Sequence, residues 1–175
     1  LAGLAIVPHV PQVVVTPEVG TSASAARPKR ALISLDEPRS RGAEAYRSLR
    51  NSVLLSSIDR PARLVVITSS LPGEGKSSTA ANYAVVLAQK GTRVLLVDSD
   101  LRRPTLHSFF GLENRQGLSE AILGAGSSVP VVIPIPELPT LSFLAAGAKV
   151  SLPSEALGSS KFQWMLHDWG QQDDI

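Results

Sequence analysis

Leu64-Val-Val-Ile-Thr-Ser-Ser-Leu-Pro-Gly-Glu-Gly-Lys-Ser-Ser78 is the stretch on which the fold turns. An apolar run, Leu64–Ile67, leads into a Gly-rich turn, and a helical pattern follows from about Ser77. Strand, glycine-rich turn and helix in that order make a phosphate-binding loop. Gly73 and Gly75 let backbone N–H groups curl around phosphate oxygens, where a Cβ would obstruct the approach. The helix adds its positive N-terminal end. Lys76 supplies a mobile cation for the outer phosphates, and the Ser77 hydroxyl is placed to ligate magnesium. The nucleotide-binding candidates are Ser70, Pro72, Gly73, Glu74, Gly75, Lys76, Ser77 and Ser78. The full pattern G-x-x-x-x-G-K-[ST] calls for Gly at position 70, and this chain has Ser70. Taken alone, Gly75-Lys76-Ser77 also suits a plain turn before a helix. The flanking strand and helix, and a second motif downstream, decide for phosphate.

That second motif is Val94-Leu-Leu-Val-Asp-Ser-Asp-Leu-Arg-Arg-Pro104. Val94–Val97 is continuously apolar and suits a parallel strand buried on both faces. It follows the helix through Lys90-Gly91-Thr92, where Gly91 is a natural C-terminal cap. Residues 64–98 therefore read as one βαβ unit with a right-handed crossover. Both strands of such a unit end on the side of the sheet where ligands bind. Asp98 and Asp100 are thus expected beside the loop, able to hold magnesium through water or to accept a proton. An Asp-x-Asp after a strand also suits helix capping and turn formation.

Elsewhere the chain punctuates itself. Pro8, Pro11 and Pro17 break residues 1–20 into extended pieces, and 20–30 is a small-residue linker ending in Arg27, Lys29 and Arg30, read as solvated. Residues 41–56 form a helix with Tyr46, Leu49 and Val53 as its apolar stripe. Glu44, Arg47 and Arg50 step around beside that stripe, and Glu44 with Arg47 suits an i, i+3 pair. The helix from Ser77 to about Lys90 packs Ala80, Tyr83, Ala84 and Leu87 on the sheet. A short helix or turn follows Pro104. His107 lies in it, outside the site. Residues 117–124 form another short helix, closed by Gly124. The prolines in 130–136 suit an edge or loop, and Leu141–Leu144 reads as a strand. Residues 153–168 read as one helix with Ser154 as N-cap, Glu155 in its first turn, and Trp164, Leu166 and Trp169 used in packing.

Composition narrows the class. The 175 residues fit one α/β domain, and 43% apolar content is enough for a core. Aromatics at 5% and a net charge of +2 argue against nucleic acid as a partner. There is no Cys, so disulfides and thiolate metal sites are excluded. No apolar run reaches the ~18–20 residues of a membrane helix, and no basic-then-apolar leader is evident, so the chain is expected to be soluble.

Pro72-Gly-Glu-Gly-Lys-Ser77 followed by apolar-Asp98-x-Asp100-x-Arg102-Arg103-Pro104 resembles the bacterial tyrosine kinases. Those are the cytoplasmic ATPase domains of capsule and exopolysaccharide chain-length proteins. Glu44, Arg47 and Arg50 match that family's E-x-x-R-x-x-R helix, which the resemblance implies is a contact in a ring of subunits. Gly117-Leu-Ser119, Leu144-Ala-Ala-Gly147 and Pro153-Ser-Glu-Ala-Leu157 look like later landmarks, and Leu1–Pro11 like the segment after a second membrane helix. What this implies is an α/β P-loop fold, a mostly parallel sheet with helices on both faces, incomplete in this stretch. Residues 1–40 would be a juxtamembrane lead-in and linker, and 41–175 the first part of the kinase domain. The implied activity is ATP- and magnesium-dependent tyrosine autophosphorylation in trans. It would take place at the cytoplasmic face of the plasma membrane, with the membrane chain-length component fused or separate. Lys76 would neutralise phosphates, and Ser77, Asp98 and Asp100 would organise magnesium. Asp100 would also accept the tyrosine proton, and Arg102 would stabilise charge or order the loop.

The family pattern also carries a third strand ending in Asp and a Tyr-rich tail. Neither is found up to Asp173-Asp174-Ile175, and the tyrosines are Tyr46 and Tyr83. The 175 residues alone are therefore expected to be inactive, with apolar edge exposed beside the loop strand. Relatives also tend to have Asn where this chain has Leu152. Two other classes compete. Partitioning or division-site ATPases place a Lys where this chain has Leu71, which counts against them. A non-catalytic module could bind nucleotide only to set ring size.

Overall fold

The computed structural model describes residues 4–8, 32–56, 62–124 and 130–171. The linker with Arg27, Lys29 and Arg30, and the acidic end Asp173-Asp174-Ile175, lie outside the described residues. In chain order the strands are β1 (Leu4–Pro8), β2 (Val65–Ile67), β3 (Val94–Val97), β4 (Ile133–Ile135) and β5 (Leu138–Leu144). The helices are α1 (Ile33–Asp36), α2 (Arg41–Ser56), α3 (Lys76–Ala88), α4 (Leu106–Phe109), α5 (Leu118–Leu123), α6 (Pro153–Gly158) and α7 (Ser160–Gln171).

The strands form one sheet in the order β2-β1-β3-β5-β4. Strands β3 and β5 pair in parallel, while β1 is antiparallel to both β2 and β3, so β2, β3 and β5 share one direction. The edge strand β4 runs against β5. It carries Pro134, as the missing N–H of proline requires of an edge. The expected βαβ unit is present as β2-α3-β3, with one strand position between its two strands. That position, beside the loop strand, is filled by β1, and β2 itself becomes the sheet edge, with Val66 exposed on it. Two pieces of the expected lead-in thus take part in the fold: β1 in the sheet, and α1, whose Ser34 N–H donates to Asn82 Oδ1 on α3.

Strand β3 is buried throughout, as its unbroken apolar run foretells, and its pleat divides it between two cores. Val94 and Leu96 join α3, Leu32, Leu106 and Phe143 on one face, with Tyr46 and Val53 of α2 packed against them. Leu95 and Val97 join Leu118, Ala121, Ala156, Phe162, Met165 and Trp169 on the other. Helices therefore cover both faces. Helix α3 is buried from Ala80 to Ala88, so its small residues let it lie close on the sheet. Tyr83 is core, as expected, and burial raises its pKa against the lowering effect of Arg50. Gly91 has φ +84, the left-handed conformation that ends α3.

Five expectations need correction. The described strands make a mixed sheet, not a mostly parallel one, with β3–β5 as its parallel pairing. The helix expected over 153–168 is two, because Ser159 is extended (φ −68, ψ 150). The N-cap of α6 is Leu152, with Pro153 as its first residue, so Ser154 does not cap it. Trp164 is exposed, while Trp169 is buried. Leu49 lies toward solvent, leaving Tyr46 and Val53 to carry the α2 stripe.

Candidate nucleotide-binding site

The loop between β2 and α3 is held by its own side chains. Ser69 Oγ donates to Leu71 O at 3.0 Å, and Leu71 N donates to Glu74 Oε2 at 2.9 Å. Gly73 and Gly75 have φ +83 and +87, and beyond the adjoining residues nothing lies within 4 Å of a Cβ built at either. What the fold itself demands of glycine there is the left-handed backbone, not a lack of room. Gly75 is the N-cap of α3, and Thr79 N donates to Gly75 O at 2.8 Å. The N–H groups of the first turn of α3 therefore face the loop.

Strand β3 delivers the two aspartates beside this loop, and a salt bridge joins the motifs. Lys76 Nζ lies 2.9 Å from Asp100 Oδ2, with only 19% and 8% of the two side chains exposed. Asp100 Oδ1 accepts from Arg102 N and Arg103 N, so one oxygen shapes the turn and the other holds the lysine. Burial alone would raise the Asp100 pKa. The hydrogen bond and charge of Lys76 and the two backbone bonds outweigh it, and the carboxyl sits below its usual value.

Asp98 is buried deeper. Its Oδ1 accepts from Asp100 N at 3.2 Å, and its Oδ2 from Thr105 N at 3.2 Å and Leu106 N at 3.1 Å. Capping and turn formation are therefore part of its work. Burial pushes its pKa up to about 6, with Asp100 adding to the rise and the three backbone bonds opposing it.

The other sequence candidates fall into place around this pair. Arg102 Nη2 donates to Ser154 Oγ at 3.1 Å, tying the turn after β3 to α6. His107 stays outside the hydrogen-bonded cluster, and burial lowers its pKa. Arg47 pairs with Glu44 at 2.8 Å on the surface of α2 and donates to Pro38 O. Arg50 is not a surface group: it is 7% exposed, and its Nη1 donates to Val86 O of α3 at 2.9 Å. The carbonyl of the buried helix draws it inward, so it joins α2 to α3 within the chain.

Sequence reasoning missed two groups. Thr105 Oγ1 donates to Ser77 Oγ at 3.2 Å, a second link between the motifs. Glu120 and Asn114 hold the segment after β5, at the same end of the sheet. Glu120 accepts from Gly117 N and Ala148 N, and Asn114 makes a reciprocal pair with Gly147 through N and O. Burial opposes ionisation of Glu120, yet its backbone bonds keep its pKa below the usual value. The Glu120–Gly117 bond has the local spacing of a capping box, but no spacing rule marks the others, which join segments far apart in the chain.

Ser77, Asp98 and Asp100 are hard oxygen donors, which suits magnesium. Both Asp98 oxygens already accept backbone N–H bonds, so contact through a water fits better than direct ligation. Among the described residues no cluster of three or more acidic, His or Cys side chains stands ready as a metal cage.

Known proteins resemble this chain. The chain is 44% identical over 139 residues to the tyrosine-protein kinase YwqD of Bacillus subtilis, covering 79% of this chain and 57% of that protein. It is 38% identical over 115 residues to the succinoglycan biosynthesis transport protein ExoP of Rhizobium meliloti, covering 66% of this chain and 14% of that one. Among solved structures, the BceF tyrosine kinase domain matches with TM-score 0.69 and 34% identity, over 80% of this chain and 55% of that one. The kinase domain of Escherichia coli ETK matches with TM-score 0.70 and 26% identity, over 82% and 56%. The chain thus spans little more than half the length of these kinase relatives. A family model described as the CobQ/CobB/MinD/ParA nucleotide binding domain matches residues 65–167, from the loop strand into α7. That match covers more than half of the chain and includes both the loop and the Asp98–Asp100 motif, so the chain belongs to the CobQ/CobB/MinD/ParA nucleotide-binding family.

Proposed function

We propose that this chain is the nucleotide-binding part of an ATP-dependent protein tyrosine autokinase that governs chain length and export of a capsular polysaccharide or exopolysaccharide. The observation that carries this reading is the Lys76–Asp100 pair, which joins the loop to the Asp98–Asp100 motif. The 44% identity to YwqD supports the kinase assignment over a partitioning ATPase, as does Leu71 in place of a second lysine.

In this reading Lys76 leaves Asp100 to neutralise the phosphates of ATP, and the first-turn N–H groups of α3 bind their oxygens. Ser77 would hold magnesium directly, and Asp98 through water. Magnesium supplies neutralisation of charge that develops between the phosphates. Asp100, once freed of Lys76, would accept the proton of an attacking tyrosine hydroxyl. Arg102 acts at a distance, ordering the turn through Ser154. Phosphoryl transfer requires positioning and charge neutralisation above all, which these groups provide. Glu44 and Arg47 form the exposed part of the proposed subunit contact in a ring, with Arg50 holding α2 in place behind them. The protein would act beside a membrane chain-length component on the cytoplasmic face. Among the described residues no helix is long and apolar enough to cross a membrane.

The test is Lys76→Met in the full-length protein. Loss of one charged hydrogen-bonding partner should weaken ADP binding roughly ten- to hundredfold and abolish autophosphorylation. Unchanged autophosphorylation with the fold intact would overturn the assignment.

A further inference from the structure

We infer that Thr105 is a positioning residue that sets the Ser77 hydroxyl for its cation. The inference rests on the nucleotide-binding reading above and adds a residue to it. Thr105 stands at the N-cap of α4, where a threonine ordinarily turns its hydroxyl back to cap the helix. Here it makes no such cap. Asp98 Oδ2 takes over that task, accepting the N–H groups of both Thr105 and Leu106. The threonine hydroxyl is thereby released, and it donates across to Ser77 Oγ, from a residue 28 positions away in the chain. Asp98, Thr105 and Ser77 form a relay in which the buried carboxylate fixes the threonine and the threonine fixes the serine.

The physical consequence follows from what a hydroxyl offers. Serine oxygen has two lone pairs and one proton. With one lone pair engaged by Thr105, rotation of the Ser77 side chain is restricted, and its second lone pair remains available to a hard cation. Without that bond the serine is free to turn among its staggered rotamers, and cation binding must restrict it. Thr105 touches neither phosphate nor metal in this account. Its contribution is visible only when the cation is present.

The test is calorimetric titration of ADP into the full-length protein, once with magnesium chloride and once with EDTA. Thr105→Val keeps the shape and removes the hydroxyl, and Thr105→Ser restores it. Thr105→Val should weaken ADP binding roughly three- to tenfold with magnesium and leave it unchanged in EDTA. Thr105→Ser should stay within about twofold of the wild type with magnesium. An equal loss under both conditions would make Thr105 merely structural and overturn the inference, as would Thr105→Val binding like the wild type. Failure of the wild type itself to bind ADP would overturn the nucleotide reading, and the inference with it. Thermal melts without nucleotide check that both variants are folded.

Discussion

Replacing Asp100 by Asn should destabilise the empty protein yet spare its affinity for nucleotide. In the structure one Asp100 oxygen accepts from Arg102 N and Arg103 N, while the other holds Lys76 at 2.9 Å. Asn can keep the first pair of bonds with its carbonyl oxygen. Its amide then faces the lysine, donor against donor. Breaking a fully buried ion pair by removing one partner costs about 3–5 kcal/mol, whereas exposed pairs contribute about 0–1 kcal/mol. Lys76 retains 19% exposure and can turn toward water, which discounts the larger figure to about 2 kcal/mol. For a domain of this size that is a fall in Tm of about 4–8 °C. Nucleotide binding responds differently, because phosphate must first draw Lys76 away from Asp100. The variant has no such pair to break, so its ADP affinity should equal or exceed that of the wild type, while phosphoryl transfer falls. Urea unfolding and calorimetric titration with ADP, run on both proteins, measure the two effects. An Asn variant as stable as the wild type, with ADP binding weakened more than about tenfold, would refute the argument. Lys76 would then not be held by Asp100 in the empty state, and Asp100 would act mainly on the ligand.

Other outcomes follow from single contacts. Asp98 has its pKa raised to about 6 against 3.8 for the free group, so the folded state binds the extra proton between those values, and stability falls as pH rises through that window. Asp98 alone should make the protein about 1.4 kcal/mol more stable at pH 5 than at pH 7.5, and Asp98→Asn should remove that difference in urea titrations; an identical pH dependence in the variant would refute the raised pKa. Gly117→Ala should lower the urea midpoint by an equivalent of about 1–3 kcal/mol, because a Cβ there runs into the backbone carbonyl of Ala145; an unchanged midpoint would mean the segment after β5 yields easily. Leu152→Asn should raise Tm by a few degrees, since Leu152 is an exposed N-cap with no side-chain acceptor and Asn there contributes about 0.5–1 kcal/mol; calorimetric melting checks it. The 175-residue chain by itself should transfer no phosphate to its own tyrosines, because Tyr83 is 2% exposed and Tyr46 packs against the same core; radiolabel on either would contradict this.

The sequence by itself determined the β2-α3-β3 unit and the residues of its phosphate loop. Those signals are local: an apolar run, glycines, a lysine and a helix pattern follow one another along the chain, and short-range backbone preference suffices to place them. Asp98 and Asp100 were legible for the same reason, since the direction of a crossover fixes which end of β3 meets the loop. Tertiary structure alone decided what these groups hold. The partners Lys76–Asp100, Thr105–Ser77 and Arg50–Val86 lie 24, 28 and 36 residues apart, and no period or spacing links them. Arg50 could not be told from Arg47 by pattern, because long amphipathic side chains follow whichever neighbour offers an acceptor. The break at Ser159 was hidden too, since an apolar pattern can run across a single extended residue. The place of β1 was the least legible feature. Strand order and direction depend on which segment's backbone hydrogen bonds satisfy the open position between β2 and β3, and that competition is settled only in the assembled sheet.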